Sequence, residues 1–317
     1  MLHEAIAIPN RTHPQSASLA EPKVVRTREF ERMGESLGKK PAVFEKLAGT
    51  RLKQFRSEGV KEICSERSYF LTDQLAELEQ ALVRYTLQRL VREFEFEVVS
   101  VPDVLSPAVI EACGMETQGE RAQVFHLDLE AGQGHTASAL SGTAEMAFGG
   151  MLSGRAVPRG RPLKLCAVSR CFRAETSQKK EERPIFRVTQ FTKAEMFAVC
   201  DPGGSDEMLE HFLEVQTSLF SELGLAYQVL EMPPEELGAP AYRKYDVEAL
   251  YPGRMASGGP AYGEISSCSN CTGIQFNALS NSALCHELLW MKQMFTVRLE
   301  CFRWRSFTRT LMWGFPV

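Results

Sequence analysis

Phe172-Arg173-Ala174-Glu175, a polar loop, and Arg187-Val188-Thr189-Gln190-Phe191-Thr192-Lys193-Ala194-Glu195-Met196-Phe197 lie near the middle of the 317-residue chain. Residues 163–172 and 185–199 are rich in β-branched, aromatic and other apolar residues, and the loop 176–183 between them is polar and charged. That pattern predicts two strands joined as a long antiparallel hairpin. Strand side chains alternate between faces, so Arg173 and Glu175 share one face at the loop, and Arg187 and Glu195 share one along the return strand. Phe191 and Phe197 stand beside these charges, which makes the face a semi-enclosed cleft rather than an open surface. Guanidinium groups grip phosphate oxygens bidentately and carboxylates hold Mg²⁺, so the cleft suits a polyanion with bound metal.

Outward from the hairpin, Leu75, Leu78, Leu82, Leu87, Leu90 and Val91 form an apolar stripe that predicts a helix of about 20 residues from Thr72. Residues 96–101 then read as a strand stopped by Pro102 at a sheet margin. After Gly203-Gly204, Ser205 reads as a helix cap. Met208, Phe212, Val215, Leu219 and Leu223 share one face of that helix, and Gly224 is its stop. Further strands are predicted at 227–231, 245–250 and 262–268, the last with Glu264 and Ser266 on one face. Strands interleaved with helices of unequal length around a central hairpin predict an α+β domain with a mostly antiparallel sheet. No GxGxxG or Walker A pattern occurs, so a Rossmann or P-loop nucleotide site is not expected.

Composition narrows the functional classes. At 44% hydrophobic and 24% charged residues the chain reads as a packed protein, and a net charge of −4 excludes a globally basic nucleic-acid binder. Basic character is local: residues 23–62 carry eleven Lys or Arg against six Glu, a candidate phosphate-binding patch. The absence of a run of about 18 apolar residues argues against a membrane span. Nine cysteines at irregular spacing suit a reducing compartment, and no disulfide is assigned. Residues 1–22 read as a linker or truncated leader, and 27–62 as short, loosely packed helices. Cys268-x-x-Cys271 lacks a second ligand pair, and His211-x-x-Glu214 lacks a third ligand, so no zinc is expected.

The hairpin motif resembles motif 2 of class II aminoacyl-tRNA synthetases, whose pattern is aromatic-Arg-x-Glu, loop, Arg-x-x-x-Phe. Gly142-Thr143-Ala144-Glu145, residues 191–197 and Glu264-Ile265-Ser266-Ser267-Cys268-Ser269-Asn270-Cys271-Thr272 are similar, in order, to the seryl-tRNA synthetase family. Ala239 to Asp246, Pro252-Gly253-Arg254 and Pro9 to Pro14 look most like its mitochondrial branch. The resemblance covers about residues 64–275 and implies an ATP-dependent serine–tRNA ligase using Mg²⁺, L-serine and tRNA, homodimeric, located in the mitochondrial matrix, with no DNA and no membrane partner. ATP would be bound by Arg173 at its α-phosphate, by Ala174 and Glu175 at the adenine end, by Arg187, Val188 and a stacking Phe191, and by Glu264, Ile265, Ser266 and Ser267. Glu264 would carry Mg²⁺ with ATP. Thr143, Ala144, Glu145, Arg173 and Glu195 would bind serine, with Arg173, Glu195 and Glu264 carrying the catalysis. Val101-Pro102-Asp103 and the helix before it look like motif 1, which builds the family's dimer interface.

The same comparison divides the chain into the remnant of a tRNA-binding arm with a basic linker (1–63), a catalytic domain (64–275) and a divergent tail (276–317). Thr189 stands where the family usually has His. No motif 3 is recognisable after Gly273. Its loss is expected to expose a sheet edge and to remove a cation from the ATP γ-phosphate, a cost of about 2–4 kcal/mol. A non-catalytic synthetase-like isoform or paralogue, acting as a dimer partner or regulator, is the alternative; a ligase charging a carrier protein is disfavoured because no metal-type amino-acid pocket is seen.

Overall fold

Strands Leu163–Phe172 and Gln190–Cys200 pair antiparallel without a register break, from Leu163 opposite Val199 to Phe172 opposite Gln190. The expected hairpin therefore forms, with a later start to its return strand. Residues 186–189 bend because their hydrogen bonds go elsewhere: the Arg173 N–H donates to Thr189 O, and the Thr189 N–H donates to Arg67 O. The computed structural model describes residues 8–29, 44, 46–119, 122–127, 137–155, 157, 159–175, 186–201, 203–251, 261–273 and 287–289. The polar loop from 176 and position 185 lie outside them, as does the tail except for the backbone of 287–289.

In chain order the elements are β1 (Lys23–Arg28), β2 (Phe55–Arg56), β3 (Phe70–Leu71), α1 (Asp73–Arg92), β4 (Glu97–Val98), β5 (Val104–Leu105) and α2 (Pro107–Ala112). They continue with β6 (His126–Leu127), β7 (Ser138–Leu140), α3 (Ala144–Leu152), β8 (Leu163–Phe172), β9 (Gln190–Cys200) and α4 (Ser205–Glu222). The last are β10 (Tyr227–Glu231), β11 (Arg243–Leu250), β12 (Tyr262–Asn270) and β13 (Glu287–Leu289). Two four-stranded sheets, in the orders β13-β9-β8-β4 and β1-β10-β11-β12, carry the fold. All their pairings are antiparallel except β4 with β8. This is the predicted α+β architecture.

Residue parity on the hairpin separates two cores. Cys166, Ala194, Met196, Ala198 and Cys200 join α1 through Leu75, Leu82 and Leu90, and α4 through Leu209, Phe212, Val215 and Leu219. Leu165, Ala167, Phe197 and Val199 face the other way, onto Met146, Phe148 and Leu152 of α3. Burying each such large aliphatic or aromatic side chain contributes about 1.5–3 kcal/mol, so the two helical stripes clamp one face of the hairpin. α4 stops where Gly224 takes φ +71°, a left-handed conformation that costs glycine no Cβ clash. Its N-cap is Gly204 rather than Ser205, because the Ser205 hydroxyl instead accepts a hydrogen bond from Asn270 Nδ2 at 2.9 Å. The expected strand at 96–101 shortens to Glu97–Val98, parallel to β8 at the sheet margin, with the Val99 N–H adding a bond to Cys166 O.

The N-terminal stretch departs most from the sequence reading. Far from being a linker, Asn10 donates through Nδ2 to Pro240 O, Cys271 O and Thr272 Oγ1 at 3.0–3.1 Å. The His13 ring packs edge-on against Tyr242, and Ser16 is fully buried. β1 then pairs with β10. Side-chain hydrogen bonding, not apolar periodicity, fixes this segment, so a hydrophobic pattern could not announce it. Of the short, loose helices expected over 27–62, one short helical segment forms at Lys46–Arg51, but it is not loose: Ala48 within it is buried in the large core with Phe44 and Phe55, and β2 pairs with β3. Residues 30–43 lie outside the described residues. β13 adds backbone bonds to β9 opposite Ala198 to Cys200, so this part of the sheet edge is covered rather than exposed.

The Ser16 hydroxyl donates to Glu231 Oε1 at 2.9 Å, and Arg243 Nε donates to the same oxygen at 3.0 Å. Burial pushes the Glu231 carboxyl up, but the hydrogen bonds from Arg243 and Ser16 and the charges of Arg243 and His13 outweigh it, leaving the carboxyl below its usual range. A depressed folded-state value means stabilisation that is complete above the unfolded carboxylate range and lost as pH falls through the lowered value. Denaturant melts are therefore expected to lose stability on acidification through that window, and Glu231→Gln, less stable at pH 7, to lose less. Parallel pH dependences for the two chains would remove Glu231 from the account.

Candidate active site

Glu195 projects from β9 onto the face shared with Phe197, and its side chain has no exposed surface. An isolated carboxylate there would be strongly unfavourable, and each of its oxygens is satisfied. Thr143 Oγ1 lies 2.7 and 2.6 Å from the two oxygens, the Glu145 N–H donates to Oε2 at 3.2 Å, and Lys193 Nζ donates to Oε1 at 2.8 Å. Thr143 is the N-cap residue of α3 and Glu145 lies in its first turn, so the carboxylate sits at a helix N-terminus, where free amides and the helix dipole favour negative charge. Gly142 to Glu145 and Glu195, 50 residues apart, thus meet as one constellation. Ala144 is buried within it.

At the loop end of the hairpin, the Arg173 guanidinium stacks 5.3 Å from the Phe191 ring centroid, and its Nε is buried without a hydrogen-bond partner among the described residues. The Ala174 N–H donates to Gln123 O at 2.9 Å. Arg187 precedes β9, so strand parity does not place it; instead its Nη1 comes within 3.7 Å of Glu175 Oε2, the Arg half exposed and the Glu side chain only 6% exposed. Val188 and Phe191 pack with Cys171 in a small cluster backed by Tyr69. The Thr189 hydroxyl is within 3.2 Å of Ser65 Oγ, which ties the start of the return strand to the segment before α1.

β12 supplies the third part. Glu264 lies opposite Glu248 and Ser266 opposite Val247, with a register shift between them. Val247 is in the helix-facing core, so the β-bulge turns Ser266 toward that core and leaves Glu264 on the other face. The expected Glu264–Ser266 face is therefore split. Ser267, opposite Asp246, takes the Glu264 side. Its Oγ is buried without a hydrogen-bond partner among the described residues, as is Ser266 Oγ. Ile265 packs in the large core. Lys244 donates to Asp246 Oδ2 at 2.8 Å; burial pulls its ammonium down, but Asp246 and Glu264 outweigh that and hold it above its ordinary range. Beside Glu264 the Tyr251 ring lies over Gly263, where a Cβ would stand 2.8 Å from Tyr251 Cε2.

The structure thus brings Thr143, Glu145 and Glu195 together, and Arg173 with Phe191 and Arg187 with Glu175, on elements that share the hairpin. Lys193 was missed, because a lysine in a strand reads as a solvated charge; its i, i+2 spacing from Glu195 on an otherwise apolar strand was the available signal. The thiols of Cys268 and Cys271 part, one into each core. Burial and then Glu145 raise both the Cys113 and the Cys271 thiol well above the usual range, as buried apolar groups rather than thiolates. Glu214 pairs with Arg26 at 2.6 Å, while His211 rests against Phe94 and Phe212. Thr143→Val should leave Glu195 short of a donor and lower stability by about 1–3 kcal/mol, whereas Thr143→Ser should lose much less. Urea midpoints measure the difference, and equal midpoints would remove the hydroxyl from the account.

The class II tRNA synthetase core domain family (G, H, P, S and T) matches residues 131–288, which runs past position 275 and takes in β13. The mitochondrial serine–tRNA ligase of Mus musculus is 37% identical over 289 residues, 88% of this chain and 52% of that protein. The chain spans about half the length of the mitochondrial relatives it matches. The cytoplasmic serine–tRNA ligase of Naegleria fowleri, solved with AMP, superposes with a TM-score of 0.83 at 25% identity, covering 93% of this chain and 63% of that one. Seryl-tRNA synthetase of Pyrococcus horikoshii, solved with ATP, gives a TM-score of 0.73 at 27% identity, with 91% and 67% covered. With the hairpin, the buried Thr143–Glu195 pair and these likenesses in agreement, the chain belongs to the class II aminoacyl-tRNA synthetases, in their serine–tRNA ligase branch.

Proposed function

We propose that the protein is an ATP-dependent serine–tRNA ligase of mitochondrial translation. The observation that carries this reading is the buried Glu195 carboxylate, hydrogen-bonded by Thr143 at the N-terminus of α3, on the strand that begins at the Arg173–Phe191 stack. An acceptor pair suits the ammonium and hydroxyl of serine. A site built to bond a hydroxyl rejects an amino acid lacking it, because its own polar groups are then left unpaired.

In this reading Phe191 stacks on adenine, Glu175 lies at the adenine end held by Arg187, and the guanidinium of Arg173 neutralises charge on the α-phosphate. A serine carboxylate oxygen attacks the α-phosphorus, forming the mixed anhydride as pyrophosphate leaves. The 3′-terminal hydroxyl of tRNA then attacks the seryl carbonyl, and AMP leaves. Positioning and charge neutralisation supply the acceleration, with no protein nucleophile. Mg²⁺ fits the face shared by Glu264 and Ser267, where a hard carboxylate stands beside a buried hydroxyl that has no hydrogen-bond partner among the described residues. These residues would hold it with the ATP phosphates, and it would supply neutralisation of the phosphate charge. Residues 64–275 are proposed as the catalytic domain.

A homodimer is proposed through the region around α1. Val98 and Val104, on the short strands that follow it, are 51% and 48% exposed and offer apolar surface. The mitochondrial assignment is supported by relatives of that name. Serine-dependent ATP–pyrophosphate exchange tests the function: the purified chain should exchange, and Arg173→Ala should lower the rate about 10²–10³-fold. Absence of serine-dependent exchange in the unaltered chain would sink the reading of a ligase.

A further inference from the structure

Behind the acceptor pair lies an ammonium that the proposed chemistry leaves unused. Lys193 is two residues from Glu195 on β9, projects from the same face, and has no exposed surface. Its Nζ donates to Glu195 Oε1 at 2.8 Å and, in a shorter contact, to Thr143 Oγ1. Ser169 stands opposite it on β8. A buried ion pair gives little net stability over apolar residues of the same volume, since both charges must be stripped of water. Packing alone therefore gives no reason for a lysine at this position.

We infer that Lys193 is a positioning residue for the amino-acid substrate: it holds Thr143 Oγ1 and Glu195 as acceptors, and so sets the preference for serine over alanine. The inference rests on the serine-ligase reading and deepens it. A threonine hydroxyl has one proton and two lone pairs. With Oγ1 within 2.7 Å of both Glu195 oxygens, its proton is committed to the carboxylate. Lys193 fills one lone pair of that oxygen, so what remains can only accept. Glu195, ionised against the same ammonium, can also only accept. The pair then calls for donors, and serine brings an ammonium and a hydroxyl where alanine brings the ammonium alone. Without the charge of Lys193 the threonine hydroxyl is released to donate elsewhere, and the carboxylate loses its counter-ion. The hydroxyl of the substrate then loses its oriented partner, while the ATP end of the hairpin is untouched.

The test compares binding of seryl-sulfamoyl-adenosine and alanyl-sulfamoyl-adenosine, stable mimics of the two adenylates, and of ATP to the full chain and to Lys193→Met and Lys193→Gln. The unaltered chain should favour the seryl compound by about 10²-fold or more. In both variants that ratio should fall about tenfold or more, with ATP affinity within about twofold. Loss of folded protein would reduce binding capacity for all three ligands alike and leave the ratio unchanged. A ratio equal to that of the unaltered chain in a folded variant overturns the inference and leaves the ligase reading standing. Failure of the unaltered chain to bind the seryl compound overturns both. If neither variant gives a cooperative melt, the ¹⁵N resonance of the Lys193 ammonium in the unaltered chain decides. It should move further on adding the seryl compound than on adding the alanyl one, which brings the ammonium alone, and an equal response to both overturns the inference.

Discussion

Alternation along one pair of strands is the constraint on which the rest depends. β8 and β9 are paired without a register break, so each residue on them is committed to one of two faces. Even positions of β9, Ala194 to Cys200, complete the large core under α1 and α4. Odd positions run from the ring of Phe191 through Lys193 and Glu195 to Phe197 and Val199 on α3. A slip of one residue would drive Lys193 and Glu195 into the helical core and turn Met196 toward the polar site. Fold and site are specified by the same set of backbone hydrogen bonds, and neither can change register without the other.

The polar site is affordable in so apolar a setting because its charges close on one another. Glu195 meets Lys193, Thr143 and a helix N-terminus; Glu175 meets Arg187; Lys244 meets Asp246. Those arrangements differ in what they leave over. Each oxygen of Glu195 already meets a protein donor, whereas Arg173 Nε and Ser267 Oγ are buried atoms with no hydrogen-bond partner among the described residues. Unmet polar atoms at the end proposed for phosphate and satisfied ones at the end proposed for the amino acid match those roles: a large anion needs donors to take it up, and a small substrate needs a fixed template.

What the sequence made legible follows from what it can encode locally. The stripe Leu75, Leu82 and Leu90 and the face Phe212, Val215 and Leu219 are periodic, and both helices appear where they were expected. The hairpin was equally plain from its apolar runs and charged loop. The bulge in β12 was not, because it depends on how β11 and β12 pair, and without it parity puts Glu264 with Ser266 instead of Ser267. Thr143 was found through resemblance alone: nothing within its own stretch records that a carboxylate 52 positions later will lie against it. The anchoring of Asn10 and Ser16 is a tertiary fact of the same kind.

That anchoring has a consequence in time. Asn10 is joined to positions 240, 271 and 272 and Ser16 to 231, at sequence separations of 215 to 262 residues, and β1 pairs with β10. During synthesis at about 5–20 residues per second, the first strand leaves the ribosome roughly 10–40 s before its partner exists. Throughout that interval Val24 and Val25 are carried on an unpaired strand among Lys23, Arg26 and Arg28, and like charges are a common means by which bare strands avoid pairing with other chains. The basic run around β1 can thus be understood as protection for a segment that must wait for β10 to be made.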